Sequence, residues 1–85
     1  MEKIKIATAQ FVHRSGDKSY NLSVIDVLSR KAAKTGAQAI AFHECSITGY
    51  TFARKLSYEQ MLELAEFIPN GESTEKLIEI ASKND

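Results

Sequence analysis

Three hydrophobic patterns in succession predict an α/β fold. Ile4, Ile6, Thr8 and Gln10 alternate with Lys5, Ala7, Ala9 and Phe11, which is the period of a strand. A helical pattern then runs from Asp17 to about Lys34, and Ala37-Gln38-Ala39-Ile40-Ala41-Phe42 follows as a short, almost wholly apolar run. Strand, crossover helix and strand compose a βαβ unit, in which the two strands pair in parallel and the crossover is right-handed in nearly every known case. The expected bounds are a strand near 3–10, a helix near 18–35, a strand near 38–43, and further helices near 57–67 and 73–83.

Each element has its own local reason. Asp17 offers a carboxylate to the free N–H groups of the first helical turn. Leu22, Ile25, Ser29, Ala32 and Ala33 then share one face, with Leu28 at its edge, while Ser23, Asp26, Arg30, Lys31 and Lys34 take the other. Val24 and Val27 lie off the apolar stripe. Thr35-Gly36 closes this helix, because glycine enters the left-handed region freely. The second strand, apolar at nearly every position, reads as covered on both faces. Cys45 to Lys55 is loop-like. Ser57-Tyr58-Glu59-Gln60 fits a capping box, and Tyr58, Met61, Leu62, Ala65 and Ile68 form an apolar stripe behind it. Pro69-Asn70-Gly71 stops that helix, and Ser73 begins another that carries Leu77, Ile78 and Ala81.

Composition bounds the function. Eighty-five residues, 44% hydrophobic and 26% charged, exclude a disordered tail and allow one small domain at most. Eleven basic and eleven acidic side chains cancel to zero net charge, so no nucleic-acid partner is expected. No apolar run approaches the ~20 residues of a membrane span, and Met1-Glu2-Lys3-Ile4-Lys5 lacks the apolar stretch of a signal peptide. One cysteine, Cys45, makes a reduced cytoplasmic setting the expectation. Two parallel strands cannot bury themselves, since typical sheets have about five or six. Residues 1–85 are therefore expected to be the N-terminal segment of a larger single α/β domain. With both sheet edges open, a homo-oligomer is expected too.

The four glycines are far apart and form no phosphate loop, so a nucleotide-binding α/β protein is disfavoured and no cofactor is expected. His13 and His43 should lie at the same ends of neighbouring strands. With Cys45 they offer three potential ligands but no metal-site spacing, and no metal is expected. Glu44 is the informative residue. Open α/β sheets hold ligands beyond the carboxyl ends of their strands, and a carboxylate following Ala-Ile-Ala-Phe should be partly desolvated, which suits it to proton transfer near neutral pH. The alternative is a loop glutamate that pairs with an arginine or caps the backbone. Cys45, two residues from His43, invites a Cys–His dyad but reads as a small buried hydrophobe.

These segments resemble the nitrilase superfamily, the carbon–nitrogen hydrolases. Ile6-Ala7-Thr8-Ala9-Gln10 is similar to the family's opening strand. Asn21-Leu22 with Ala32-Ala33-Lys34-Thr35-Gly36-Ala37 is similar to its first helix and the entry to the next strand. Phe42-His43-Glu44-Cys45-Ser46-Ile47-Thr48-Gly49-Tyr50 resembles the motif around the catalytic glutamate, and Ile68-Pro69 with Gly71-Glu72-Ser73-Thr74 resembles a later helix start. The resemblance implies a four-layer α-β-β-α sandwich, of which this chain holds the βαβ-α-α part. It also implies a hydrolase acting on a small-molecule amide, carbamoyl compound or nitrile through glutamate, lysine and cysteine. Glu44 is the glutamate; the family's lysine and cysteine lie beyond this sequence, and Lys55 follows Glu44 too soon to be that lysine. Tyr50 either lines the substrate site or packs over the loop with its hydroxyl bonded to backbone. Two positions depart from the pattern: His43 stands where proline is usual, and Cys45 where an apolar residue is usual. The alternative reading is a non-catalytic fragment or degenerate member that acts through assembly.

Overall fold

The computed structural model describes residues 3–49 and 54–84. Its elements are strand β1 (Ile6–Ala9), helix α1 (Lys18–Lys34), strand β2 (Ala39–Phe42), helix α2 (Tyr58–Leu64) and helix α3 (Glu72–Lys83). The two strands are hydrogen-bonded in parallel, with Ile6 opposite Ala39 and Ala9 opposite Phe42. The βαβ unit is present as the sequence pattern predicts, with strands of four residues each.

Period two decides which strand residues face α1. Ala7 and Ala9 of β1 and Ile40 and Phe42 of β2 are half-buried, and Phe42 packs against the core of Leu22, Ile25 and Ile80. Ile6, Thr8, Ala39 and Ala41 occupy the other face and are exposed. Among the described residues α1 covers one face of β2, and the other face is open. Phe42 and Ile40 lie on that covered side, whereas Ile4 and Ile6 remain 67% and 64% exposed.

Asp17 caps α1 by accepting from the Tyr20 backbone N–H at 3.0 Å. At the other end Gly36 has φ +90°, and the amides of Thr35, Gly36 and Ala37 return to carbonyls of Ala32 and Ala33. The face predicted for α1 is the buried one, through Leu22, Ile25 and Ser29. Its neighbour is α3, whose buried apolar residue is Ile80 at 3% exposure, not the predicted Leu77, Ile78 or Ala81. The rotation of α3 follows from its docking on α1, where Lys83 donates to Asp26 at 2.9 Å. That ammonium holds the Asp26 carboxyl below the ordinary range, assisted by Arg30.

Ser57 forms the predicted capping box with Gln60, yet α2 buries none of its residues: Tyr58, Met61 and Leu62 are all exposed. The helix ends at Leu64, so Ala65 and Ile68 are not part of its stripe. Helix α3 starts one residue earlier than expected, after Gly71, and takes its cap from outside the helix. Glu66 accepts from the Ser73 backbone N–H at 2.6 Å and from the Ser73 hydroxyl, placing an anion at the positive helix end. Lys18 donates to the same carboxylate and to the Leu64 carbonyl. The lysine first and the serine second pull the Glu66 pKa down to about 2. This junction joins the starts of α1 and α3.

Candidate active site

Both strands deliver their following loops to one end of the sheet. An open recess there is lined by Thr8, Ala9 and Gln10 from the β1 side and Ala41, Phe42 and His43 from the β2 side. Glu44 comes next in the chain and opens a turn over residues 44–48. It is exposed, which corrects the expected partial desolvation: the apolar strand before it is covered by α1 on one face, and that cover does not extend over the turn. Among the described residues the Glu44 carboxylate has no salt-bridge partner. The backbone that carries it is, in contrast, held at several points.

Asn21 does most of this. It is fully buried, accepts from the Arg14 backbone N–H at 2.8 Å, and donates to the carbonyls of Arg14 (2.8 Å) and Ile47 (2.7 Å). One amide thus joins α1 to the loop after β1 and to the turn after β2. Gly16 adds a backbone N–H donated to Thr48 O at 2.8 Å. Gly49, at φ +95°, lies so close to the neighbouring loop that a Cβ would stand 3.1 Å from Ser15 Cα and 3.2 Å from His13 Cδ2. Arg14 itself stacks on Tyr20, its guanidinium 3.6 Å from the ring centre.

His13 and His43 meet as their strand positions predict. His13 Nδ1 and His43 Nε2 are 3.1 Å apart, and the rings stack at 5.3 Å and 25°. Phe11 meets the His43 ring edge-on at 4.9 Å and 71°. Cys45 does not join them. It is exposed at φ +56°, so the reading of a buried structural cysteine is corrected: the left-handed turn takes the residue out of the strand's alternation. Among the described residues no group of three or more His, Cys, Asp or Glu side chains could hold a metal ion. Tyr50 lies outside the described residues.

Asn21 is the residue that the reading of individual side chains missed. Its signal was a polar side chain next to the apolar stripe of α1, beside Leu22, where a satisfied amide has to find backbone partners.

The carbon–nitrogen hydrolase family model matches residues 5–85. A nitrilase of Pyrococcus abyssi (strain GE5 / Orsay) is 33% identical over 78 residues, which cover 92% of this chain and 29% of that protein. The chain belongs to the carbon–nitrogen hydrolase family, within the nitrilase superfamily. It spans less than a third of the length of the curated relative it matches.

Proposed function

We propose that this chain is the N-terminal segment of a hydrolase that cleaves a non-peptide carbon–nitrogen bond in a small amide, carbamoyl compound or nitrile. Glu44 is its general base, working with a lysine and a cysteine carried outside these 85 residues, in a four-layer α-β-β-α sandwich. The observation that carries the reading is the coincidence of a family match over residues 5–85 with a glutamate that directly follows His43, a lining residue of the recess at the carboxyl end of β2.

In that chemistry Glu44 takes the cysteine proton, and the thiolate adds to the substrate carbon. With an amide, the lysine stabilises the tetrahedral oxyanion. Collapse breaks the carbon–nitrogen bond, and Glu44 returns the proton to the departing amine. Water then attacks the thioester, losing a proton to Glu44, and the acid leaves as the thiol re-forms. A nitrile reaches the same thioester after one water adds to the thioimidate and ammonia departs. Cys45 is not the nucleophile in this reading: it follows Glu44 directly, and among the described residues it makes no hydrogen bond to a histidine.

The exposed Ile4 and Ile6 face supports assembly with further protein, either the rest of the domain or another copy. A cytoplasmic homo-oligomer belongs to the same proposal. The test is Glu44→Gln in the protein at its full natural length, with ammonia release measured from amides and nitriles. Loss of about 10²–10⁴ in turnover, with the fold retained, is expected for a missing general base. Near-wild-type turnover would leave assembly without catalysis as the better account.

A further inference from the structure

We infer that His13 is a positioning residue for Glu44, acting through His43. This rests on the assignment of Glu44 as the base. The Glu44 carboxylate is exposed and has no salt-bridge partner among the described residues. The backbone that enters the turn fixes the position from which its side chain departs, and that backbone passes through His43. Two side chains pack against the His43 ring. His13 stacks on it with a nitrogen-to-nitrogen distance of 3.1 Å, and Phe11 presses an edge against it. Both partners come from the segment that follows β1, so this packing ties the neighbouring strand's exit to the residue before Glu44.

A ring held in this way restricts its own χ1 and, through it, the backbone of residue 43. The far end of the turn is held by Asn21, which donates to the Ile47 carbonyl, and by the Gly16 N–H, which donates to the Thr48 carbonyl. Gly49 carries no Cβ, which would stand 3.2 Å from His13 Cδ2, so the imidazole fits beside the turn only because glycine is there. The turn is thus fixed at both ends, and the imidazole pair is the fixing at the end nearest the carboxylate. Catalysis is sensitive to such placement, because an error of about 1 Å costs up to about a hundredfold in rate.

The experiment uses the protein at its full natural length and four variants: His13→Leu, His13→Asn, Glu44→Gln, and the His13→Leu/Glu44→Gln double variant. His13→Leu keeps bulk but removes the ring nitrogen, and should lower kcat about tenfold with KM within about twofold, since His13 does not touch the recess. His13→Asn places an amide where Nδ1 stands and should recover most of kcat. The double variant should be no slower than Glu44→Gln alone, because His13 acts only through that carboxylate. Imidazole ¹⁵N spectra supply a readout independent of turnover: the His43 Nε2 signal should move in His13→Leu and stay near its wild-type position in His13→Asn. Wild-type kcat in His13→Leu beside an inactive Glu44→Gln would overturn the inference and leave the base assignment standing. Equal losses in His13→Leu and His13→Asn would overturn it too, showing a packing role instead. Active Glu44→Gln would overturn the base assignment, and the inference with it.

Discussion

The side-chain amide of Asn21 donates to the Ile47 carbonyl across 2.7 Å, joining positions 26 residues apart in the chain. Ile47 sits in the turn that begins with Glu44, so a residue on α1 determines where that turn lies. Asn21→Ala removes this bond and both bonds to Arg14, leaving three partly buried main-chain groups without their protein partner and a gap where a fully buried side chain stood. A loss of about 2–3 kcal/mol is expected, above that of an ordinary exposed hydrogen bond. Denaturant unfolding of the full-length variant measures it, and a loss below about half a kcal/mol would show that the clamp is dispensable.

Glu66 makes stability depend on acid. Its pKa falls from an ordinary 4.5 to about 2 in the folded chain, so the folded state favours the ionised form. The resulting stabilisation is fully present above about pH 4.5 and is lost as the pH falls toward 2. Stability against pH should therefore show a steeper acid limb in the wild type than in Glu66→Gln. Parallel acid limbs would contradict the assignment of Lys18 and Ser73 as the groups that hold the carboxylate.

Gly49→Ala faces two separate obstacles. Alanine at φ +95° is strained, and its Cβ would meet Ser15 and the His13 ring. The expected outcome is a loss of stability greater than about 1 kcal/mol, together with displacement of the His13 imidazole signals. Gly36→Ala is the control: it shares a positive φ but has open space around the added methyl, so it should destabilise less.

Cys45→Ala should leave stability within about half a kcal/mol of wild type, because the side chain is exposed. The thiol should also react with Ellman's reagent in the folded protein at a rate close to that of a free thiol. Protection that disappears only on unfolding would restore the buried reading.

The βαβ unit was legible because each of its signals is local. Period two in Ile4–Phe11, the apolar stripe of α1, the Asp17 cap and the Gly36 stop need no knowledge of the rest of the chain. The capping box at Ser57 was legible for the same reason. What escaped depends on partners distant in sequence. Lys18 and Glu66 are 48 residues apart, and no pattern along the chain announces their meeting. In α3, Leu77, Ile78 and Ile80 are all apolar, and only docking against Leu22 and Ile25 selects Ile80. Glu44 was legible as a residue but not in its environment: strand hydrophobicity implied burial, while the turn carries the carboxylate into solvent.

The register of β1 on β2 has a topographic consequence. On the exposed face Ile6 stands beside Ala39 and Thr8 beside Ala41, with Ile4 continuing the β1 side. That face is uneven, a ridge of larger side chains along β1 flanked by a shallow trough of methyl groups along β2. Interiors pack at the density of organic crystals and leave few voids. A layer laid on this face has to be its cast, with bulky residues over β2 and small ones over β1. A mirror-image distribution would collide along one strand and leave gaps along the other.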